Sequence, residues 1–172
     1  SGNYTSVFDF YQFWLNQPDE SVEYLLKIYT VYSKEEIEKI LEEHKSAPEK
    51  RLAQKALAKG ATEVVHGKTS AAAAITLTEI LFGGKKLGVL SETEIENIAL
   101  LLPTLKLDEN RPQVSLVDAL VELELVSSKG EARKMIKGNA ISVNGEKITD
   151  ENHALMSLSI LKRGKNKFAL IK

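Results

Sequence analysis

Lys129, Arg133 and Lys137 recur at four-residue spacing between Ser128 and Gly138, with Lys134 beside them. On a helix that advances about 100° per residue these cations share a sector of roughly 140°, and Ala132, Met135 and Ile136 gather on the other side. Ammonium and guanidinium groups spaced one turn apart do not break bonds. They grip phosphate oxygens, and the grip weakens as salt rises. A second basic run, Lys162-Arg163-Gly164-Lys165-Asn166-Lys167, sits between Ser159-Ile160-Leu161 and Phe168-Ala169-Leu170-Ile171 and reads as a hairpin turn. Two basic edges of this kind can frame one groove for a polyanion. A solvated helix face is the plain alternative, since many surface helices carry lysines that serve solubility alone. Charge distribution argues against it: residues 111–172 hold 11 basic and 7 acidic side chains, whereas residues 1–110 hold 12 and 17. A basic C-terminal part in a chain of net charge −1 points to an anionic partner for that part.

The elements that must position these cations are legible nearby. Ser128 and Glu131 stand in the Ser-x-x-Glu arrangement of a helix start, where hydroxyl and carboxylate each satisfy an orphan backbone donor. Gly138 or Asn139 stops the helix. Ala140, Ile141 and Val143 suit a strand, Asn144-Gly145 is a two-residue turn that accepts positive φ twice, and Ile148 lies on the returning strand. Ser115 to Leu125 forms the partner helix, with Leu116, Ala119, Leu120 and Leu123 at three- and four-residue spacing.

Upstream, the pattern is helical almost throughout. Asp19 caps a helix bearing Val22, Leu25, Leu26 and Tyr29. Ser33 with Glu36 opens another near Lys34, and Pro48 suits the first turn of a third. That third helix carries Leu52, Ala56, Leu57, Ala61, Val64 and Val65 and ends at Gly67. Ser70 begins an alanine-rich helix that stops at Gly83-Gly84, and Ser91 with Glu94 announces one more through about Leu101. Pro103 to Gln113 has two prolines and no clear period. The expected organisation is a helical unit over 1–105, a linker over 106–114 and a second unit over 115–172. The fold class is an α-helical N-terminal unit followed by a small α+β RNA-binding domain of two helices and a short, mainly antiparallel sheet.

Composition sets outer limits. A length of 172 residues with 43% hydrophobic and 6% aromatic content allows one or two small helix-rich domains. The longest apolar stretch, Ala71 to Phe82, is interrupted by Thr76, Thr78 and Glu79 and falls short of the roughly 20 residues that span a bilayer. With no cysteine there is neither a disulfide nor a thiolate metal site, as suits a reducing compartment. Ser1-Gly2 reads as a cloning remnant.

Other conspicuous residues have structural explanations. His44, His66 and His153 are too scattered for a metal-ligand set. Phe10, Tyr11, Phe13 and Trp14 offer base-stacking faces, yet four aromatics in seven residues at the start of a helical unit are expected to pack. Glu35, Glu36, Glu38, Glu42 and Glu43 surround the apolar Ile37, Ile40 and Leu41 as a solvated face. Gly83-Gly84-Lys85-Lys86 lacks the strand and spacing of a phosphate loop, so chain punctuation explains it.

Helix, basic helix, Asn-Gly hairpin and late basic hairpin together resemble the RNA-binding module named after ribosomal small-subunit protein four. Phe10-Tyr11-Gln12-Phe13-Trp14-Leu15-Asn16, then Ala47-Pro48-Glu49-Lys50-Arg51-Leu52-Ala53-Gln54-Lys55, then Val65-His66-Gly67 resemble successive segments of bacterial-type tyrosyl-tRNA synthetase, in that family's order. The likeness runs from about Thr5 to Lys172, and Phe10 to Asn16 is its most specific block. Neither a His-x-Gly-His type sequence nor a Lys-Met-Ser-Lys-Ser type loop is present, so the resemblance implies the C-terminal, tRNA-binding portion of a longer enzyme. It implies no catalytic residue and no metal in this segment, with ATP and magnesium confined to the missing catalytic domain.

On that resemblance the helical anticodon-binding domain and the C-terminal module embrace the anticodon stem and long variable arm of tyrosine tRNA. Phosphate contacts fall to Lys129, Arg133, Lys134 and Lys137, with Asn139 at a sugar or base edge and Arg163, Lys165 and Lys167 on the second edge. The parent enzyme would be a cytoplasmic homodimer, or one of the mitochondrial matrix, in which the helical unit seats against its own catalytic domain and involves no membrane. A general structured-RNA module and a protein-docking helical unit are the competing readings. An enzyme in its own right fits worst, because no nucleophile-base pair or nucleotide loop is found.

Overall fold

The computed structural model describes residues 6–172, so the Ser1-Gly2 reading lies outside the described residues. The chain forms two compact units that divide at Gly83 and Gly84. The first contains α1 (Val7–Leu15), α2 (Asp19–Tyr29), α3 (Lys34–Ser46), α4 (Leu52–His66) and α5 (Lys68–Phe82), with a short 3-10 turn at Pro48–Lys50. The helix starts follow local chemistry. Ser6 caps α1 by accepting the Asp9 N–H, and Ser33 and Glu36 form a complete capping box at α3.

Asp19 does a different job from the capping role its position suggests. Pro18 occupies the cap of α2, and the Asp19 carboxylate turns inward to Gln54 Nε2 at 2.6 Å and His44 Nε2 at 3.0 Å. Arg51, in left-handed backbone with φ of 54°, donates to the carbonyls of Leu15 and Gln17 at 3.0 Å each. The conspicuous Arg51 and Gln54 thus close the α1–α2 corner, whose freed carbonyls would otherwise lack donors.

Apolar packing completes the first unit. Leu26, Leu57, Ala58, Ala74 and Leu77 are fully buried. Small residues on α4 permit close approach: a Cβ on Gly60 would lie 2.8 Å from Thr30 Cγ2 and 2.9 Å from Tyr32 Cε2. Tyr11 and Trp14 are buried, while Phe10 packs edge-on against both Trp14 and His66. The aromatic block therefore packs as expected, except that Phe13 stays 59% exposed. His44 is buried, and Glu35, Glu36, Glu38, Glu42 and Glu43 are all exposed.

The second unit contains α6 (Glu92–Ala99), β1 (Thr104–Leu105), β2 (Val114–Ser115), α7 (Leu116–Glu122), α8 (Lys129–Lys137), β3 (Ile141–Val143), β4 (Glu146–Lys147), β5 (Ala154–Leu155), β6 (Ser159–Arg163) and β7 (Lys167–Ile171). The main sheet runs β1-β7-β6-β3-β4, antiparallel except where β1 pairs parallel to β7, and β2 pairs with β5. The expected class, a helical unit followed by a small α+β unit with a mainly antiparallel sheet, is the one found.

The division between units falls earlier than the 106–114 segment. Pro103 accepts from the Leu170 N–H, and Leu107 and Lys172 complete a ladder along β7, so this proline-bearing stretch enters the sheet. Prolines at a sheet edge give the same composition signal as prolines in a linker. One apolar core joins Leu116, Ala119 and Leu120 of α7, Ala132 and Ile136 of α8, and Ile141, Leu161, Ala169 and Ile171 of the sheet. The alternate residues Ile160, Phe168 and Leu170 are buried too, so both faces of β6 and β7 are covered.

Candidate nucleic-acid interface

Helix α8 is fixed at both ends by local bonds. Ser128 Oγ accepts the Glu131 N–H at 3.1 Å. At the other end Asn139 takes φ of 62°, its N–H reaches the Ile136 carbonyl, and the Ala140 N–H reaches the Met135 carbonyl. This is the paired closure of a Schellman stop, with asparagine in the left-handed position that glycine more often fills. Asn139, not Gly138, therefore makes the turn. The Asn144-Gly145 turn has φ of 49° and 84°, as a two-residue hairpin requires, and Ile148 returns to Ile141 through its N–H.

The basic hairpin is tied to this helix. Ile141 pairs with Arg163, and the Gly164 N–H donates to the Ala140 carbonyl at 3.1 Å. Asn139 and Lys165 consequently flank one hydrogen bond, both exposed. At the first turn of α8, Arg163 donates to the Leu125 carbonyl at 2.9 Å and to Glu131 Oε1 at 3.3 Å. Glu131 does not return to the Ser128 backbone as a complete capping box would. Its other oxygen takes the N–H and hydroxyl of Ser127 at 2.7 and 2.5 Å.

The cations are not equivalent. Arg133, Lys134, Lys165 and Lys167 are exposed. Lys129 lies 3.3 Å from Asp118 and Lys137 lies 3.3 Å from Glu151, with both lysine side chains more than 60% exposed. With each lysine in water such pairs hold by about 1 kcal/mol or less and can exchange partners, although Glu151 itself is half-buried. Arg163 differs, with its side chain only 24% exposed and that of Glu131 29%. By helical spacing, Lys134 falls between the Lys129–Arg133–Lys137 stripe and the Glu131 side that meets the hairpin. The two basic edges are thus joined, but Arg163 spends its guanidinium inside the joint.

Electrostatics follow the same contacts. The Ser127 hydroxyl and N–H, then Arg163 and Lys167, hold the Glu131 carboxyl below the usual range. Ser115, then Lys129, hold Asp118 below its own. The sequence did not reveal the roles of Asp118, Glu131 and Glu151. The signal for Glu131 was present in Ser127, one residue ahead of the cap. Lys162, unassigned from the sequence, sits 5.8 Å from the Phe168 ring centre, within cation-π range.

Gly83 follows helix α5, where its N–H closes onto the Glu79 carbonyl, and no strand leads into Gly83-Gly84-Lys85-Lys86. Among the described residues no three His, Cys, Asp or Glu side chains are grouped so as to hold a metal ion. No described helix is long and apolar enough to cross a membrane.

The molecule is thus a helical unit followed by a basic helix-and-hairpin module. The family described as tRNA synthetases class I (W and Y) matches residues 1–83, the span of the first unit. The C-terminal domain described as tyrosine–tRNA ligase SYY-like matches residues 94–171. Fold and matches together define a class I aminoacyl-tRNA synthetase segment.

Among curated relatives, tyrosine–tRNA ligase 1 of Bacillus subtilis is 39% identical over 174 residues, covering 97% of this chain and 41% of its own length. Tyrosine–tRNA ligase of Mesoplasma florum is 40% identical, covering 98% of this chain and 42% of its own. The chain belongs to the tyrosine–tRNA ligase family and corresponds to its C-terminal part. It spans about two fifths of the length of these relatives. A solved structure, the C-terminally truncated mitochondrial tyrosyl-tRNA synthetase of Aspergillus nidulans, is 43% identical with a TM-score of 0.44, covering 45% of this chain and 23% of its own.

Proposed function

We propose that this chain is the tRNA-binding part of a tyrosine–tRNA ligase, clamping tyrosine tRNA while the remaining part of the enzyme makes tyrosyl-adenylate and transfers tyrosine. The observation that carries this reading is the exposed Arg133 and Lys134 of α8 together with the exposed Lys165 of the hairpin that the Ala140–Gly164 hydrogen bond ties to the end of that helix, within a unit that matches the ligase C-terminal domain. Folded RNA offers shape, backbone and unpaired bases to such a surface. Arg133, Lys134, Lys165 and Lys167 take phosphates directly, Lys129 and Lys137 do so by exchanging their carboxylates, and Asn139 meets a sugar or base edge.

The first unit serves as the helical anticodon-binding domain. It also carries a groove lined by Phe10, Trp14, Tyr29, Val31, Val64 and Val65, where Val31 is 85% exposed. An apolar surface of this kind fits the reading that the helical unit seats against its own catalytic domain. ATP and magnesium act in that domain. The enzyme works as a homodimer in the cytoplasm.

Tyrosine-tRNA binding across a salt series tests the reading. Replacing Arg133 and Lys137 together by alanine weakens binding and reduces the logarithmic salt slope by roughly 0.7 to 0.9 for each lost phosphate contact. Unchanged affinity and slope would reject it, and equal binding of unrelated structured RNAs would favour the general module.

A further inference from the structure

We propose that Arg163 and Glu131 form a positioning brace, not a phosphate contact, and that this brace sets the distance between the two basic edges of the tRNA-binding surface. The proposal rests on the tRNA-binding reading above and assigns it a residue pair. Both terminal nitrogens of the Arg163 fork have internal acceptors: one serves the Leu125 carbonyl in the α7–α8 turn, the other Glu131 on the first turn of α8. The other Glu131 oxygen is held by the N–H and hydroxyl of Ser127, which limits the carboxylate's freedom to follow the guanidinium elsewhere.

Position gives the pair its consequence. Arg163 is the last residue of β6 and faces Lys167 across the hairpin, so its side chain anchors the base from which Lys165 projects. Glu131 precedes Arg133 and Lys134 on the helix. The Ala140–Gly164 hydrogen bond fixes the far end of α8 against the same hairpin. The β3–β6 pairing and the shared apolar core hold the hairpin strands against α8, and the Arg163 tie adds a polar restraint at the first turn of the helix, on the last residue before the tip that carries Lys165. Partial shielding distinguishes this pair from Lys129–Asp118 and Lys137–Glu151, whose lysines stand in water.

Glu131→Gln separates the brace from simple electrostatics, because the two accounts predict opposite signs. Removing a negative charge beside an RNA surface tightens binding if charge alone matters. Loss of the brace weakens it, by roughly three- to tenfold, the scale of one ordinary intramolecular hydrogen bond. Arg163→Ala lowers affinity by a similar factor with the salt slope unchanged, whereas a direct phosphate contact would cost roughly 0.7 to 0.9 of slope. The double variant is no weaker than either single one.

Thermal unfolding of each variant shows that it is folded. A second readout needs no RNA: spin labels on Lys134→Cys and Lys165→Cys, in a chain with no cysteine of its own, report the separation of the edges. The distance distribution broadens in Glu131→Gln. Tighter or unchanged tRNA binding by that variant, a reduced slope in Arg163→Ala, or an unchanged label distribution overturns the brace. A parent chain that fails to bind tyrosine tRNA sinks the functional reading instead, and the label measurement alone then decides whether the joint is rigid.

Discussion

Asn144 and Ile160 exchange two hydrogen bonds: the Asn144 N–H donates to the Ile160 carbonyl, and Asn144 Oδ1 accepts the Ile160 N–H, each at 2.9 Å. One residue therefore makes the hairpin turn, with φ of 49°, and extends the β3–β6 pairing beyond the strand. Asn144→Ala loses the side-chain acceptor and keeps the strained backbone, which destabilises the second unit by about 1–3 kcal/mol. Asn144→Gly relieves the strain but not the lost bond and falls between the two. Urea unfolding of the three proteins checks the order.

Gly60 inverts the usual helix preference. In an exposed helix interior, glycine to alanine gains about 1 kcal/mol. Here the new methyl meets Thr30 Cγ2 and Tyr32 Cε2 at under 3 Å, and neither neighbour gives way easily. Thr30 is bonded to the Leu26 carbonyl at 2.6 Å and Tyr32 to the Ala56 carbonyl at 3.0 Å. Gly60→Ala destabilises the first unit by about 1–3 kcal/mol, the range of overpacking. Thr30→Ser, which removes Cγ2, recovers part of the loss. A stabilised Gly60→Ala in thermal unfolding would contradict this packing.

Asp118 and Glu151 compete with phosphate for Lys129 and Lys137. Asp118→Asn and Glu151→Gln therefore tighten tRNA binding by roughly two- to fivefold, each exposed pair holding by less than about 1 kcal/mol. The direction is opposite to that for Glu131→Gln, although all three changes remove one negative charge. Fluorescence anisotropy at one fixed salt concentration suffices to see the difference.

Acid stability follows from Glu131. Its folded-state pKa lies below the unfolded value, so its contribution is present above the ordinary carboxylate range and is lost as pH falls through the lowered folded-state pKa. Glu131→Gln therefore differs from the parent in stability at neutral pH, and the gap closes toward acid pH. Chemical denaturation at several pH values measures this, and a gap constant with pH would contradict it.

Most of the secondary structure was readable because its signals are local. The capping boxes at Ser33 and Ser91, the Asn-Gly turn and the apolar spacing of α7 and α8 each depend on residues within four or five positions of one another. Where a signal had two causes the reading stopped. Asp19 has the type and place of a cap, but its partners Gln54 and His44 come from other helices. Proline-rich residues 103–113 have the composition of a linker, but part of the stretch lies along β7.

The sequence alone determined that this chain has a helical half, a basic helix followed by tight hairpins, and the cation types that suit phosphate, because periodicity and turn chemistry are properties of neighbouring residues. Tertiary structure decided which cations remain available. Arg163 carries the charge of a phosphate contact, and the β3–β6 pairing brings it to Leu125 and Glu131, dozens of positions away. Charge is written in the chain, but what each charge faces depends on which strands pair and which helices pack.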